Sequence, residues 1–134
     1  MDKGRRSVLA LGAGALGAPI VVLAQREKTR RIAYLANDPD RASPTFQAFI
    51  GAMRELGWVE GANPEIHYET SAGRNELFAG IAAQAAAQNV DLIFTTGSPA
   101  TRAAIAATDR IPIVFGSAAN PVEQKFVEIG RAHV

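Results

Sequence analysis

The sequence Val90-Asp-Leu-Ile-Phe-Thr-Thr-Gly-Ser-Pro-Ala100 joins a short apolar segment, a polar turn and a Ser-Pro pair that opens an alanine-rich stretch. Contiguous apolar residues such as Leu92–Phe94 are typical of a strand that is covered on both faces. Ser followed by Pro is typical of a helix N-terminus. The same order occurs twice more, with Arg31–Leu35 leading to Ser43-Pro44 and Ile111–Phe115 leading to Asn120-Pro121. Strands that alternate with helices in this way predict a parallel sheet.

Extending this pattern along the chain predicts four strands and four helices. The strands are Arg31–Leu35, about Glu65–Glu69, Val90–Phe94 and Ile111–Phe115; the helices are Pro44–Leu56, Asn75–Gln88, Pro99–Thr108 and a fourth that begins at Asn120. We therefore predict an α/β fold with a doubly wound, mostly parallel sheet and helices on both faces. In such sheets, ligands bind beyond the carboxyl ends of the strands, where the strand order reverses.

The residues after the third strand are the first candidates for ligand contact. Gly97 allows close approach to the backbone, and Thr96 precedes it. Ser98 stands at the start of a helix whose N–H groups are suited to a carboxylate. The alternative is that Ser98 only caps its own helix.

Polar residues also follow the first and fourth strands. Asn37 and Asp38 supply side-chain acceptors for a ligand ammonium, and a solvated turn is the alternative for this pair. Ser117 and Asn120 are placed to close the same crevice, although Asn120 is also a good helix N-cap. Together these side chains predict a site for a small anion or zwitterion.

Composition and spacing exclude several other classes of function. Between residues 25 and 128 the chain has ten Lys and Arg against twelve Asp and Glu, so this part has a slight negative net charge. Its basic residues form no stripe, and this argues against a nucleic-acid partner. There is no cysteine, and His67 has no second His, Cys or paired carboxylate nearby in the pattern, so we predict no metal site. Ser98 lacks a partner base and a nucleophile-elbow motif, so we predict neither catalytic residues nor a cofactor.

The first 24 residues have the pattern of a cleaved export signal. Met1–Arg6 is basic, Val8–Ala24 is uncharged, and Val22-Leu-Ala24 is a small-residue cleavage pattern, so we expect cleavage between Ala24 and Gln25. The pair Arg5-Arg6 is typical of a twin-arginine signal, and a general secretory signal is the alternative.

At the other end, residues 129–134 read Ile-Gly-Arg-Ala-His-Val and interrupt the predicted fourth helix in its first turns. When back-translated, they fit the start of a widely used sequencing adapter. We therefore expect these six residues to be read-through and assign residues 25–128 to the folded domain; a genuine terminus is the alternative.

Several segments resemble the ABC-transporter substrate-binding proteins of the tryptophan-receptor-like family. They are Arg31-Ile-Ala-Tyr-Leu35, Phe49-Ile-Gly-Ala-Met-Arg-Glu-Leu-Gly-Trp-Val-Glu-Gly61, Thr96-Gly-Ser-Pro-Ala100 and Ile111-Pro-Ile-Val-Phe115. Asn120-Pro-Val122 is similar to the Asp-Pro-Val of that family, with Asn in place of Asp. The resemblance extends from about Arg31 to Val127, and Arg54-Glu-Leu-Gly-Trp-Val-Glu-Gly61 is its most specific part.

This resemblance implies one lobe, the N-terminal one, of a type I periplasmic-binding fold. It implies an exported receptor that holds an amino-acid-like solute between two lobes in the periplasm and presents it to an ABC permease in the inner membrane. Two alternatives remain open at this point. One is a receptor that reports to a sensor kinase, and the other is an enzyme on a flavodoxin-like or Rossmann-like sheet. The enzyme requires a phosphate-binding loop after the first strand, and residues 37–42 contain no glycine.

Overall fold

The computed structural model describes residues 27–127, where four parallel strands alternate with three α-helices. The strands are β1 (Arg31–Ala36), β2 (Glu65–Thr70), β3 (Leu92–Thr96) and β4 (Ile113–Ser117), and the helices are α1 (Pro44–Glu55), α2 (Phe78–Ala87) and α3 (Ser98–Ala107). A short 3-10 helix, Asn75–Leu77, precedes α2. The predicted signal, residues 1–24, and the segment 129–134 lie outside the described residues.

The sheet has the strand order β2-β1-β3-β4. Strand β1 pairs in parallel with β2 on one side and with β3 on the other, and β3 pairs in parallel with β4. The chain thus moves outward from β1 to β2, then crosses back to β3 on the opposite side of β1. The strand order reverses between β1 and β3, which confirms the predicted doubly wound α/β fold.

Helix α1 covers one face of the sheet, which we call the aromatic face. Its five rings are Tyr34, Phe46, Phe49, Tyr68 and Phe94. Tyr34 stands opposite both Tyr68 and Phe94 in the strand register, and its ring centroid lies 5.5 Å from that of Tyr68 and 5.1 Å from that of Phe94. The ring of Phe46 meets Tyr34 edge-on at 4.9 Å. Stacked and edge-on pairs of this kind add to the stabilisation from buried area.

Helices α2 and α3 cover the opposite face, which we call the alanine face. Ala82 and Ala85 of α2 and Ala100 and Ala104 of α3 are buried there against Leu35 and Ile93 of the central strands. Because alanine side chains are short, both helices approach the sheet closely. Residues Ile32–Ala36 are consequently buried along their whole length, as is typical of a parallel strand with helices on both faces.

Helix α1 begins and ends where its local sequence predicts. The Ser43 Oγ accepts a hydrogen bond of 3.3 Å from the Phe46 N–H, so Ser43 is the N-cap. At the other end, the Gly57 N–H donates to the Arg54 carbonyl and the Trp58 N–H donates to the Met53 carbonyl, at 3.0 and 2.9 Å. This pair of bonds is a Schellman motif, and Gly57 accommodates its positive φ of 89°.

Three predictions in the second half of the chain are wrong. Strand β3 ends at Thr96 instead of Phe94, so Thr95 and Thr96 belong to the strand and not to the loop. Strand β4 is Ile113–Ser117 instead of Ile111–Phe115. The fourth helix does not form within the described residues, because Asn120 has a φ of 44°, in the left-handed region, while an N-cap residue needs an extended backbone.

Tyr34 gives a prediction about stability. Its side chain is 1 % exposed, and its hydroxyl has no hydrogen-bond partner among residues 27–127. Burial, together with the nearby Tyr68 and Asp38, raises the pKa of Tyr34 to about 12. Because an unsatisfied buried hydroxyl costs about 1–3 kcal/mol, we expect Tyr34→Phe to raise the free energy of unfolding by about 1 kcal/mol in urea denaturation.

The adjacent ring supplies the control. The Tyr68 hydroxyl donates to the carbonyls of Asp38 and Asp40 at 3.0 and 2.9 Å. The two carbonyls share the single hydroxyl proton, so Tyr68→Phe removes one bifurcated hydrogen bond, and we expect it to lower the free energy of unfolding. If both substitutions changed the free energy of unfolding in the same direction, the assignment of the Tyr34 hydroxyl as unsatisfied would be contradicted.

Candidate functional site

The carboxyl ends of β1 and β3 lie side by side at the point where the strand order reverses. Asn37 and Asp38 follow β1, and Gly97 and Ser98 follow β3. Ser117 ends the neighbouring strand β4. The fold therefore brings the predicted residues of three separate segments to the same edge of the sheet, which is the usual ligand position in doubly wound folds.

Gly97, and not Ser98, is the N-cap of α3. Its backbone has φ 88° and ψ 153°, a combination that is essentially restricted to glycine. The prediction that Ser98 caps its own helix is therefore wrong: Ser98 is the first helical residue, and its Oγ makes other contacts. It accepts hydrogen bonds from the Ala119 N–H at 3.0 Å and from the Gln124 Nε2 at 3.1 Å. Both partners are donors, so neither bond uses the proton of the Ser98 hydroxyl.

The first turn of α3 presents N–H groups at this edge. The first residues of a helix have no intrahelical acceptor for their N–H groups. Pro99 has no N–H, and the Thr101 N–H donates to the Gly97 carbonyl at 3.1 Å. Ala100 is fully buried, so the Ser98 N–H is the one suited to an anionic ligand group, beside the Ser98 hydroxyl.

Asn37 joins the loops that follow β1 and β2. Its Oδ1 accepts hydrogen bonds from the Ser71 hydroxyl at 2.6 Å and from the Gly73 N–H at 3.1 Å. An oxygen with two internal donors is a poor acceptor for a ligand ammonium, so the structure gives Asn37 a positioning role that differs from the predicted one.

Asp38 is the acidic residue at the switch point. Its backbone carbonyl accepts hydrogen bonds from the Tyr68 hydroxyl at 3.0 Å and from Thr70 Oγ1 at 2.6 Å, which fixes the loop after β1. Its side chain is half-buried and has no ion-pair partner among the described residues. Burial raises the pKa of Tyr68, and the Asp38 carboxylate adds to the rise, which places this charge near the tyrosine hydroxyls.

Gly116 is a residue of this site that sequence reasoning did not single out. The pairing of β3 with β4 shifts after Thr95, which faces Phe115, so that Thr96 faces Ser117 and Gly116 is the extra residue of a bulge. A Cβ at Gly116 would lie 2.6 Å from the Phe94 Cζ, so any larger residue here would have to displace the Phe94 ring. The shift places the Ser117 carbonyl 2.7 Å from the Gly97 N–H, its hydrogen-bond donor. A glycine directly after the predicted strand Ile111–Phe115 was the available signal.

The remaining predicted residues lie around the same loops. Thr96 ends β3, and its Oγ1 donates to the Leu35 carbonyl of β1 at 3.5 Å. Asn120 follows Ala119, whose N–H contacts Ser98, so this turn lies at the N-terminus of α3. The Asn120 carbonyl accepts the Gln124 N–H at 3.0 Å. Gln124 is a second contact that local sequence patterns did not indicate.

Residues 27–127 were also compared with the requirements of a metal site and of a membrane-spanning helix. His67 is a half-exposed residue of β2 whose Nε2 lies 3.0 Å from an Oε1 of Glu65. No group of three or more His, Asp or Glu side chains in this range is arranged to hold a metal ion. None of the helices in the same range is long and apolar enough to cross a membrane.

A protein-family model described as "ABC transporter substrate binding protein" matches residues 37–131, which is most of the chain. The chain belongs to this family. The family is one of substrate-binding proteins, and the match begins at the loop after β1 and includes every candidate residue described above.

Individual relatives agree with this family. The chain is 28% identical over 106 residues to a tyrosine-binding protein of Clostridioides difficile (strain R20291), an alignment that covers 78% of this chain and 30% of that protein. It is similar in structure to a conserved domain protein of Vibrio cholerae O1 biovar El Tor, with a TM-score of 0.69, 32% identity, and coverage of 75% of this chain and 34% of that one.

A third comparison supports the fold alone. The ABC domain of a Streptococcus pneumoniae protein, solved in complex with L-Trp, matches with a TM-score of 0.61 and 19% identity over 74% of this chain and 34% of that one. Across these comparisons, the chain spans about a third of the length of the proteins that it matches.

Proposed function

We propose that this chain is the N-terminal lobe of an exported receptor that holds an amino-acid-like solute between two lobes. The receptor delivers the solute to an ABC permease in the inner membrane. Family membership supports transport-linked solute binding, and the tyrosine-binding relative supports an amino acid as the solute class. The closed, solute-bound form is the state that a permease distinguishes from the open one.

The observation that carries the proposal is that two opposite electrostatic features lie at the carboxyl ends of adjacent strands. The Ser98 N–H at the start of α3, with the Ser98 hydroxyl, suits the α-carboxylate of an amino acid. The Asp38 carboxylate at the end of β1 suits its α-ammonium. Parallel pairing of β1 with β3 brings the two features to the same sheet edge.

Export follows from the predicted signal. We propose that cleavage between Ala24 and Gln25 releases the lobe into the periplasm, where a cysteine-free chain needs no disulfide to fold. Mass spectrometry of the exported protein tests this step, because a mature chain that begins at Gln25 is the expected product and an uncleaved chain would contradict it.

Isothermal titration of the two-lobed receptor that contains this lobe, with four related compounds, tests the solute class. L-tyrosine and L-tryptophan carry both charges, tyramine lacks the carboxylate and N-acetyl-L-tyrosine lacks the ammonium. We expect the two amino acids to bind, and each analogue to bind at least about tenfold more weakly, because each loses one charged hydrogen-bonding group worth about 1.5–3 kcal/mol. Equal binding of tyramine and tyrosine would overturn the assignment of the α3 N-terminus to the carboxylate.

A further inference from the structure

Two threonine hydroxyls are buried directly beneath the loop that contains Gly97. Thr95 of β3 and Thr101 of α3 have no exposed surface, and their Oγ1 atoms lie 2.8 Å apart. The Thr101 Oγ1 also lies 2.9 Å from the Gly97 carbonyl oxygen, to which it donates. Since Thr101 gives its single hydroxyl proton to Gly97, the hydroxyl proton between the two threonines belongs to Thr95. The Thr95 hydroxyl therefore donates to the Thr101 Oγ1, and the Thr101 hydroxyl donates to the Gly97 carbonyl. We call these two hydrogen bonds the hydroxyl relay.

The two hydroxyls lie in apolar surroundings, where burying a polar group costs free energy unless it is hydrogen-bonded. The same face of the sheet is built from Leu35, Ile93, Ala100 and Ala104, all of them buried. Valine has nearly the shape of threonine and would fill these two positions without bringing hydroxyls into an apolar interior. What threonine adds at both positions is the chain of hydrogen bonds that ends on Gly97.

The peptide that receives these bonds is held on both sides. The Gly97 N–H donates to the Ser117 carbonyl at 2.7 Å, and the Gly97 carbonyl accepts from both the N–H and the hydroxyl of Thr101. In a planar trans peptide, the carbonyl of Gly97 and the N–H of Ser98 point in opposite directions. Fixing the carbonyl toward the interior therefore directs the Ser98 N–H away from the interior.

We propose that Thr95 and Thr101 are positioning residues for the solute site, because their hydroxyl relay sets the orientation of the Gly97–Ser98 peptide and so aims the Ser98 N–H at the bound solute. This inference rests on the proposed function for the identity of the solute. The orientation of the peptide is a property of the lobe itself and is measurable without solute.

The test compares the wild-type chain with Thr101→Ser, with the double variant Thr95→Val/Thr101→Val, and with Thr108→Val. The serine variant keeps the hydroxyl, and the double variant removes both hydroxyls without leaving one of them unpaired. Thr108 lies at the far end of α3, where its Oγ1 accepts the N–H groups of Arg110 and Ile111. Thr108→Val therefore changes a threonine of the same helix without touching the relay.

The first readout is amide hydrogen exchange of the solute-free full chain. We expect the double variant to exchange the Gly97 and Thr101 amides at least threefold faster than wild type, while the Ile93 amide in the central strand is unchanged. Thr101→Ser and Thr108→Val should leave the Gly97 amide at its wild-type rate. Unchanged exchange at Gly97 in the double variant would overturn the inference, whether or not any solute binds.

The second readout is titration of the two-lobed receptor that contains this lobe with L-tyrosine. We expect a dissociation constant roughly three- to tenfold larger for the double variant, the loss of about one neutral hydrogen bond, and values within about twofold of wild type for Thr101→Ser and Thr108→Val. Wild-type affinity in the double variant would overturn the inference. If wild type itself fails to bind L-tyrosine, the proposed solute is wrong, and the exchange experiment still decides the role of the relay.

Discussion

Phe46→Ala is expected to lower the free energy of unfolding by about 3–5 kcal/mol, the usual cost of deleting a fully buried phenylalanine. Phe46 is 2 % exposed, and its ring packs edge-on against Tyr34 and Tyr68 with centroid distances of 4.9 Å to each. It is the residue that anchors α1 to the aromatic face. Because small domains have a total stability of about 5–15 kcal/mol, this loss leaves the fold close to its limit.

Urea denaturation followed by circular dichroism and by Trp58 fluorescence measures this effect. Leu56→Ala is the matched control, because Leu56 follows the same helix and is 74% exposed. We expect that variant to change the free energy of unfolding by no more than about 0.5 kcal/mol. A loss below about 1.5 kcal/mol in Phe46→Ala would show that α1 packs less closely on the sheet than the structure describes.

Asp38→Asn is expected to weaken L-tyrosine binding at least about tenfold, because a hydrogen bond to a charged group contributes about 1.5–3 kcal/mol. The substitution keeps the shape of the side chain and leaves the backbone carbonyl free to accept from Tyr68 and Thr70. The change is therefore in charge and not in loop geometry. Isothermal titration of the two-lobed receptor that contains this lobe gives the dissociation constant.

Asp40→Asn is the control for net charge, because Asp40 lies in the same loop, and its Oδ1 accepts the Ala42 N–H at 2.7 Å, a bond that an amide oxygen can retain. A spectroscopic tyrosine titration provides a second, independent reading. The Asp38 charge helps to raise the pKa of both Tyr34 and Tyr68, so Asp38→Asn should lower both values. Weaker binding in Asp40→Asn equal to that in Asp38→Asn would contradict a specific role for Asp38.

The predicted fold was confirmed because its signals are local. The apolar runs of the central strands, the Ser43-Pro44 start of α1 and its Gly57 end each depend on residues within a few positions of one another. The strand bounds were wrong by about two residues in β3 and β4. Polar residues at the ends of these strands, Thr95 and Thr96 in β3 and Ser117 in β4, resemble loop residues by composition, although they still pair in the sheet.

The fourth helix shows the limit of such signals. Asn120-Pro-Val-Glu123 has the composition of a capped helix start, yet Asn120 and Lys125 both adopt positive φ, at 44° and 59°. Gln124, from the same segment, donates to the Ser98 hydroxyl instead. Contact with a residue 26 positions earlier in the chain thus accompanies a turn where local composition predicts a helix.

The candidate site likewise has features that the sequence predicts and features that depend on long-range contacts. Its position at the carboxyl ends of β1 and β3, and its residues Asp38, Gly97 and Ser98, were predicted from the order of strands and helices. The partners of those residues were not. The Asn37 oxygen is bound to a loop 34 positions away, and Gly97 is fixed by a carbonyl from the next strand.

The sequence by itself determined the order of strands and helices, the caps of α1, the family resemblance and the edge of the sheet where a solute is expected, since periodicity and capping are properties of neighbouring residues. The tertiary structure decided which atoms of that edge remain available. In the folded structure the Asn37 oxygen accepts two internal hydrogen bonds, and Gly97 is the N-cap of α3. Gly116 forms a bulge in β4, and the Thr95 and Thr101 hydroxyls are buried. Each of these depends on hydrogen bonds or contacts between segments that meet only when the sheet has formed.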